Sequence, residues 1–140
     1  MNNVLVIGTN IDCIILNQLI NGKLSFEKLQ RVTNSKMKID NLRDALCIAR
    51  ESGYKYEYCS HVNRKVWRES FDEDNLNKKD LPYSMIIATG SIRAYSDIGM
   101  TESRDVTDRL KEVARKQGIP LHLVESPFHY HQELTDNGIL

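Results

Sequence analysis

Long apolar runs are missing from this sequence. No stretch approaches the roughly 20 consecutive apolar residues that a helix needs to cross a bilayer, so a membrane partner is not expected. The opening, Met1-Asn2-Asn3-Val4-Leu5-Val6-Ile7, has no cationic region and its apolar stretch stops at Gly8. It reads as a first strand, not a secretory signal. Cysteine is scarce: Cys13, Cys47 and Cys59 are odd in number, far apart and without Cys-x-x-Cys spacing. That excludes a disulfide framework or a cysteine-based zinc site, and predicts small buried apolar residues in a reducing, cytoplasmic compartment. An excess of either charge is also lacking, with 19 Lys plus Arg against 19 Asp plus Glu. A neutral chain has no bulk attraction for nucleic acid or anionic lipid, so any phosphate contact has to come from a local cluster. Repeats and low-complexity segments are absent too.

What remains is an ordinary globular balance, 41% hydrophobic and 27% charged, over 140 residues. That is one domain, 1–140, with enough chain to bury a core. Val4 to Ile7 is a continuous strand run of the kind covered on both faces. Gly8-Thr9-Asn10 breaks it, and Ile11, Ile14, Ile15 and Leu19 then recur at helical spacing up to Asn21-Gly22. Ser25 is placed to cap a short helix carrying Phe26 and Leu29. Asp40 is placed as N-cap of a longer helix with the stripe Leu42, Ala45, Leu46 and Ala49, ending at Gly53. Tyr54-Lys55-Tyr56-Glu57-Tyr58 alternates as a strand does. Residues 61–82 are polar. Met85 to Ala88 predicts another core strand; Val106, Leu110, Val113 and Ala114 predict an amphipathic helix that stops at Gly118; Ile119 to Val124 predicts a strand nearer an edge, given Pro120 and His122.

Strands alternating with helices imply an α/β fold with a mainly parallel central sheet and helices on both faces, a Rossmann-like three-layer domain. Ligands in such folds sit at the carboxyl ends of the strands. Here those ends are Gly8-Thr9-Asn10, Cys59-Ser60-His61, Thr89-Gly90-Ser91 and Glu125-Ser126.

The Val-Ile-Gly-Thr-Asn opening resembles the first strand and turn of PIN-like and NYN-type ribonucleases. The resemblance continues in layout: a helix ending at Gly53-Tyr54 leads into a strand and then Asn63-Arg64-Lys65. Ala88-Thr89-Gly90-Ser91 and Ser103-Arg104-Asp105-Val106 then match the family's Gly-rich turn and acidic helix start, and Val124-Glu125-Ser126-Pro127-Phe128 its last strand and acidic turn. The chain departs from the pattern where the family places its first aspartate, since Ile7 or Gly8 stands there. The resemblance implies RNA or a nucleotide as partner and Mg²⁺ or Mn²⁺ as cofactor, held by convergent carboxylates that activate water. Carried onto this chain, the catalytic set is Asp12, Asp105, Asp108 and Glu125, with Asp12, Asp105 and Glu125 as metal ligands. Thr9, Asn10, Thr89, Gly90, Ser91, Arg93 and Arg104 would bind phosphate or orient water. The missing aspartate equally implies a degenerate member that binds without cutting. Beside both stands a non-catalytic module that takes a small ligand or a protein through residues 89–104.

Simpler explanations accompany these expectations. Asp105 and Asp108 in a helix's first turns offset its macrodipole, worth about 0.3–1 kcal/mol each. The hydroxyl-rich 89–96 stretch, with Arg93, suits an anion but equally a solvated turn. His129-Tyr130-His131 lacks the four tightly spaced ligands of structural zinc. Three alternating tyrosines are explained by a half-buried strand face as well as by base stacking. Trp67 among Arg64, Lys65 and Arg68 suits phosphate, while Asp72-Glu73-Asp74 opposes it. No Ser-His-Asp or Cys-His arrangement is readable. Zero net charge and apolar residues in the 20s and 120s permit a homo-oligomer.

Overall fold

A computed structural model of the chain describes residues 3–51, 55–60, 83–89 and 106–140. Its elements are β1 (Asn3–Gly8), α1 (Asn10–Ile20), α2 (Phe26–Val32), α3 (Asp40–Glu51), β2 (Lys55–Ser60), β3 (Met85–Thr89), α4 (Val106–Gln117) and β4 (Leu121–Val124), followed by a 3₁₀ turn (Pro127–Tyr130) and α5 (His131–Asp136). The strands form one sheet in the order β2-β1-β3-β4, and every pairing is parallel. The expected α/β class and parallel sheet are present. Among the described residues no helix is long and apolar enough to cross a membrane.

Register and the two-residue period of a strand sort the core. Val4 pairs with Met85 and Val6 with Ile87, so these four point to one face. There they join Ile15, Leu16 and Leu19 of α1, Leu42, Leu46 and Ala49 of α3, and Leu134 of α5 in a single buried cluster. Leu5, Ile7, Ile86 and Ala88 point the other way and are buried as well, which is why both central strands read as unbroken apolar runs. β4 lies at the margin of the described sheet, as Pro120 and His122 predicted. Its entry is fixed by the Ile86 amide, which donates to the Pro120 carbonyl at 2.9 Å.

Local chemistry explains most boundaries. The Ser25 hydroxyl caps α2 by accepting from the Lys28 amide. Gly118 ends α4 at φ +66°, a left-handed value that costs glycine nothing. Arg50 of α3 donates to the Leu19 and Ile20 carbonyls at the carboxyl end of α1, placing a cation where the helix dipole favours one.

Three expectations are corrected. Asp40 is the first helical residue of α3, not its cap, because the Arg43 amide already donates to the Ile39 carbonyl at 2.7 Å. Cys47 is exposed rather than buried; Leu42, Ala45, Leu46 and Ala49 take the inward positions, and the Cys47 thiol turns to the Glu51 carboxylate at 3.6 Å. On α1 the buried face is Asp12, Ile15, Leu16 and Leu19, while Ile14 is 47% exposed. Those positions keep the i, i+3, i+4, i+7 spacing of an inward stripe, with an aspartate at its head.

Candidate functional site at the carboxyl edge of the sheet

β1 has β2 on one side and β3 on the other, so the chain's path across the sheet reverses between β1 and β3. In open parallel sheets that point, at the carboxyl ends, is the usual ligand crevice. Gly8 and Thr89 end β1 and β3 there, one step beyond the paired residues Ile7 and Ala88. By strand alternation both face α1. What α1 presents to them is Asp12.

Asp12 is fully buried, and its position follows from a capping box. Thr9 is the N-cap of α1: its hydroxyl accepts from the Asp12 amide at 3.0 Å, and its own amide donates to Asp12 Oδ2 at 3.0 Å. The same Oδ2 accepts from the Thr89 hydroxyl at 2.9 Å. Oδ1 accepts from the Ser126 hydroxyl at 2.7 Å and the Phe128 amide at 3.0 Å. A carboxylate offers about four lone-pair sites, two on each oxygen. Here each oxygen takes at least two protein donors among the described residues, enough to occupy the four sites.

The consequence is mechanical. Asp12 ties the start of α1 to the ends of β1 and β3 and to the turn after β4. Charge-assisted bonds of this kind are roughly twice as strong as neutral ones, and a buried carboxylate needs them to offset its desolvation. Gly8 makes room: a Cβ there would lie 2.8 Å from the Asp12 Cβ and 2.9 Å from the Thr89 hydroxyl oxygen.

Glu125 is held by other partners. Its Oε2 accepts from the Lys38 amide at 2.6 Å and its Oε1 from the Tyr130 hydroxyl at 2.7 Å. It thereby joins the end of β4 to the loop before α3. Burial and the bond to Glu125 push the Tyr130 hydroxyl up to about 12.

The structure therefore brings together Thr9, Asp12 and Thr89 of the expected set and adds Ser126 and the Phe128 amide to them. Asn10 is the exposed first residue of α1, and Asp108 lies in the first turn of α4. Gly90, Ser91, Arg93, Arg104 and Asp105 lie outside the described residues, as do Trp67 with its neighbouring basic residues and Tyr54. Among the described residues no three His, Cys, Asp or Glu side chains form a group that could hold a metal ion. His129 and His131 fall in the 3₁₀ turn and α5 and are both exposed. Ser126 and Phe128 were not anticipated as partners of Asp12. The sequence carried a signal for half of the arrangement, since Thr9-Asn10-Ile11-Asp12 has the spacing of a capping box.

Comparison of the chain with protein-family models, with curated proteins and with solved structures finds no match.

Proposed function

We propose that this chain is a PIN/NYN-like domain of three-layer, Rossmann-like build that binds RNA or a nucleotide phosphate at the carboxyl edge of its sheet and does not cut it. The parallel sheet and the β1/β3 reversal support the reading, because such folds take ligands at that point of the carboxyl edge. The observation that carries the reading is the engagement of Asp12 by at least four protein donors, two on each oxygen. A hydrolytic metal centre needs carboxylate oxygens open to the ion. Here the oxygens of Asp12 are engaged in holding the strand ends; Glu125, with one protein hydrogen bond on each oxygen, is held by different partners from those of Asp12. Neither Mg²⁺ nor Mn²⁺ is needed for the function proposed. Gly90, Ser91, Arg93 and Arg104 would supply phosphate donors on the strength of their residue types alone.

The test is fluorescence anisotropy with a labelled single-stranded RNA, with nucleotides as competitors, followed by electrophoresis of the same samples after incubation with Mn²⁺. Binding in the 10⁻⁴–10⁻⁶ M range, about that of salt-sensitive phosphate contact, with the RNA left intact, is the expected result. Cleavage that requires Mn²⁺ would restore hydrolysis, with Asp105 and Asp108 as the remaining ligand candidates. Failure to bind RNA or any nucleotide would leave the protein- or small-ligand-binding module in its place.

A further inference from the structure

Residues 23–38 hold five of the chain's 19 basic side chains, Lys23, Lys28, Arg31, Lys36 and Lys38, and only one of its 19 acidic ones, Glu27. In a chain of zero net charge this is a local cationic field, the condition set for phosphate contact. All five cations are exposed, and none pairs with a carboxylate among the described residues.

The backbone that carries them is hydrogen-bonded through α2 and the turn after it. Lys28 and Arg31 stand one turn apart on α2, at i and i+3, and so share a face. Beyond the helix, Asn34 and Ser35 take left-handed φ values of 52° and 57°. The turn is closed by the Ser35 amide to the Gln30 carbonyl at 2.7 Å and the Lys36 amide to the Thr33 carbonyl at 3.0 Å. Met37 and Ile39 are each 2% exposed, so the alternating Lys36 and Lys38 project from an anchored segment. The Lys38 amide is bound to Glu125 at 2.6 Å, directly after β4. Lys38 therefore stands beside the carboxyl end of β4, and Lys36, Arg31 and Lys28 precede it along the segment that leads there.

We infer that this surface, Lys28, Arg31, Lys36 and Lys38, is the docking track for the sugar–phosphate backbone of single-stranded RNA. The inference rests on the RNA-binding reading above and supplies a surface for it. Charge complementarity selects a polyanion, and Asn34 and Ser35, both exposed, add donors and acceptors suited to phosphate and ribose oxygens. An anionic membrane is the less fitting partner. An interfacial helix needs an exposed apolar face, and the large exposed apolar residues of the described chain, Ile14, Ile48, Leu123 and Phe128, all lie outside 23–38.

The experiment measures anisotropy of a labelled oligouridylate from about 50 to about 200 mM salt, a range over which phosphate contacts are separable by slope. It compares the wild-type chain, the combined variant Lys28→Ala, Arg31→Ala, Lys36→Ala, Lys38→Ala, and Lys111→Ala on α4 as control. Each phosphate contact with a single strand contributes about 0.7 to the log–log salt slope. The combined variant is expected to bind roughly 10- to 100-fold more weakly with a slope shallower by about 2–3, and Lys111→Ala to match wild type. Should the fourfold variant unfold early in a thermal melt, Lys36→Glu with Lys38→Glu gives the same readout with two exposed changes. Wild-type affinity and slope in these variants would overturn the docking track while leaving RNA binding in place. A wild-type chain that ignores RNA sinks both readings. Co-sedimentation with phosphatidylserine vesicles instead of RNA binding would assign the surface to a membrane.

Discussion

The Ser126 hydroxyl donates to Asp12 Oδ1 at 2.7 Å across 114 positions of sequence, closing a clasp over the strand ends. Thr89 donates to the other oxygen of the same carboxylate at 2.9 Å. The two hydroxyls serve one buried charge, so they act as a unit. Thr89→Val and Ser126→Ala are each expected to cost about 1–3 kcal/mol in urea denaturation, the scale of leaving a buried polar group short of a partner. The double variant is expected to lose less than the sum, because a carboxylate stripped of both hydroxyls takes up a proton instead. Additive losses would mean that the two bonds are independent and that Asp12 does not couple them.

Gly8 is small because of the same carboxylate. Gly8→Ala puts a Cβ 2.8 Å from the Asp12 Cβ and 2.9 Å from the Thr89 oxygen, neither of which is the free end of a long side chain. Overpacking of this kind costs about 1–3 kcal/mol. A thermal melt should show the loss. A variant as stable as wild type would show that α1 can move away from β1 and that the clasp is loose.

High pH probes the second tie. Tyr130 is pushed up to about 12 from an ordinary 10.0 by burial and by its bond to Glu125. The unfolded chain therefore releases this proton first as pH rises. The stability contributed is complete below about pH 10, declines between about 10 and 12, and is gone above the folded value. Urea midpoints of wild type and Tyr130→Phe should differ most at neutral pH and converge across that window. A gap that stays constant with pH would show that Tyr130 contributes packing alone.

Much of this architecture was legible because it is local. The apolar run Val4–Ile7 marked β1, Ser25 marked the start of α2, and the Leu42, Ala45, Leu46 and Ala49 stripe marked the buried face of α3. The face of α1 was not. Ile11, Ile14, Ile15 and Leu19 are the apolar set, yet Ile14 is out and Asp12 is in. Hydrophobic periodicity has no means of placing a charge in the core. What places it there are donors 77 and 114 residues away, and a single sequence gives no sign of such pairings. The capping box was the part within reach, since both of its bonds span three residues. The same limit governs Glu125, which looks like a strand-end carboxylate open to a ligand until Lys38 and Tyr130 are seen to bind it. The cationic 23–38 segment could be counted in the sequence, but its exposure and the contact of Lys38 with the end of β4 could not.

The clasp is the claim on which the rest depends, and Asp12→Asn tests it most directly. The amide keeps the size of the side chain but offers one acceptor oxygen and turns two N–H donors toward groups that themselves donate. Urea denaturation of wild type and variant, in metal-free buffer and again with Mn²⁺, separates a structural carboxylate from a metal ligand. The account predicts a loss of about 2–4 kcal/mol, the cost of disrupting a buried charged network, equal in size with and without the ion. A variant as stable as wild type in metal-free buffer, with a difference appearing only when Mn²⁺ stabilises the wild type, would contradict it and return Asp12 to the role of a metal ligand.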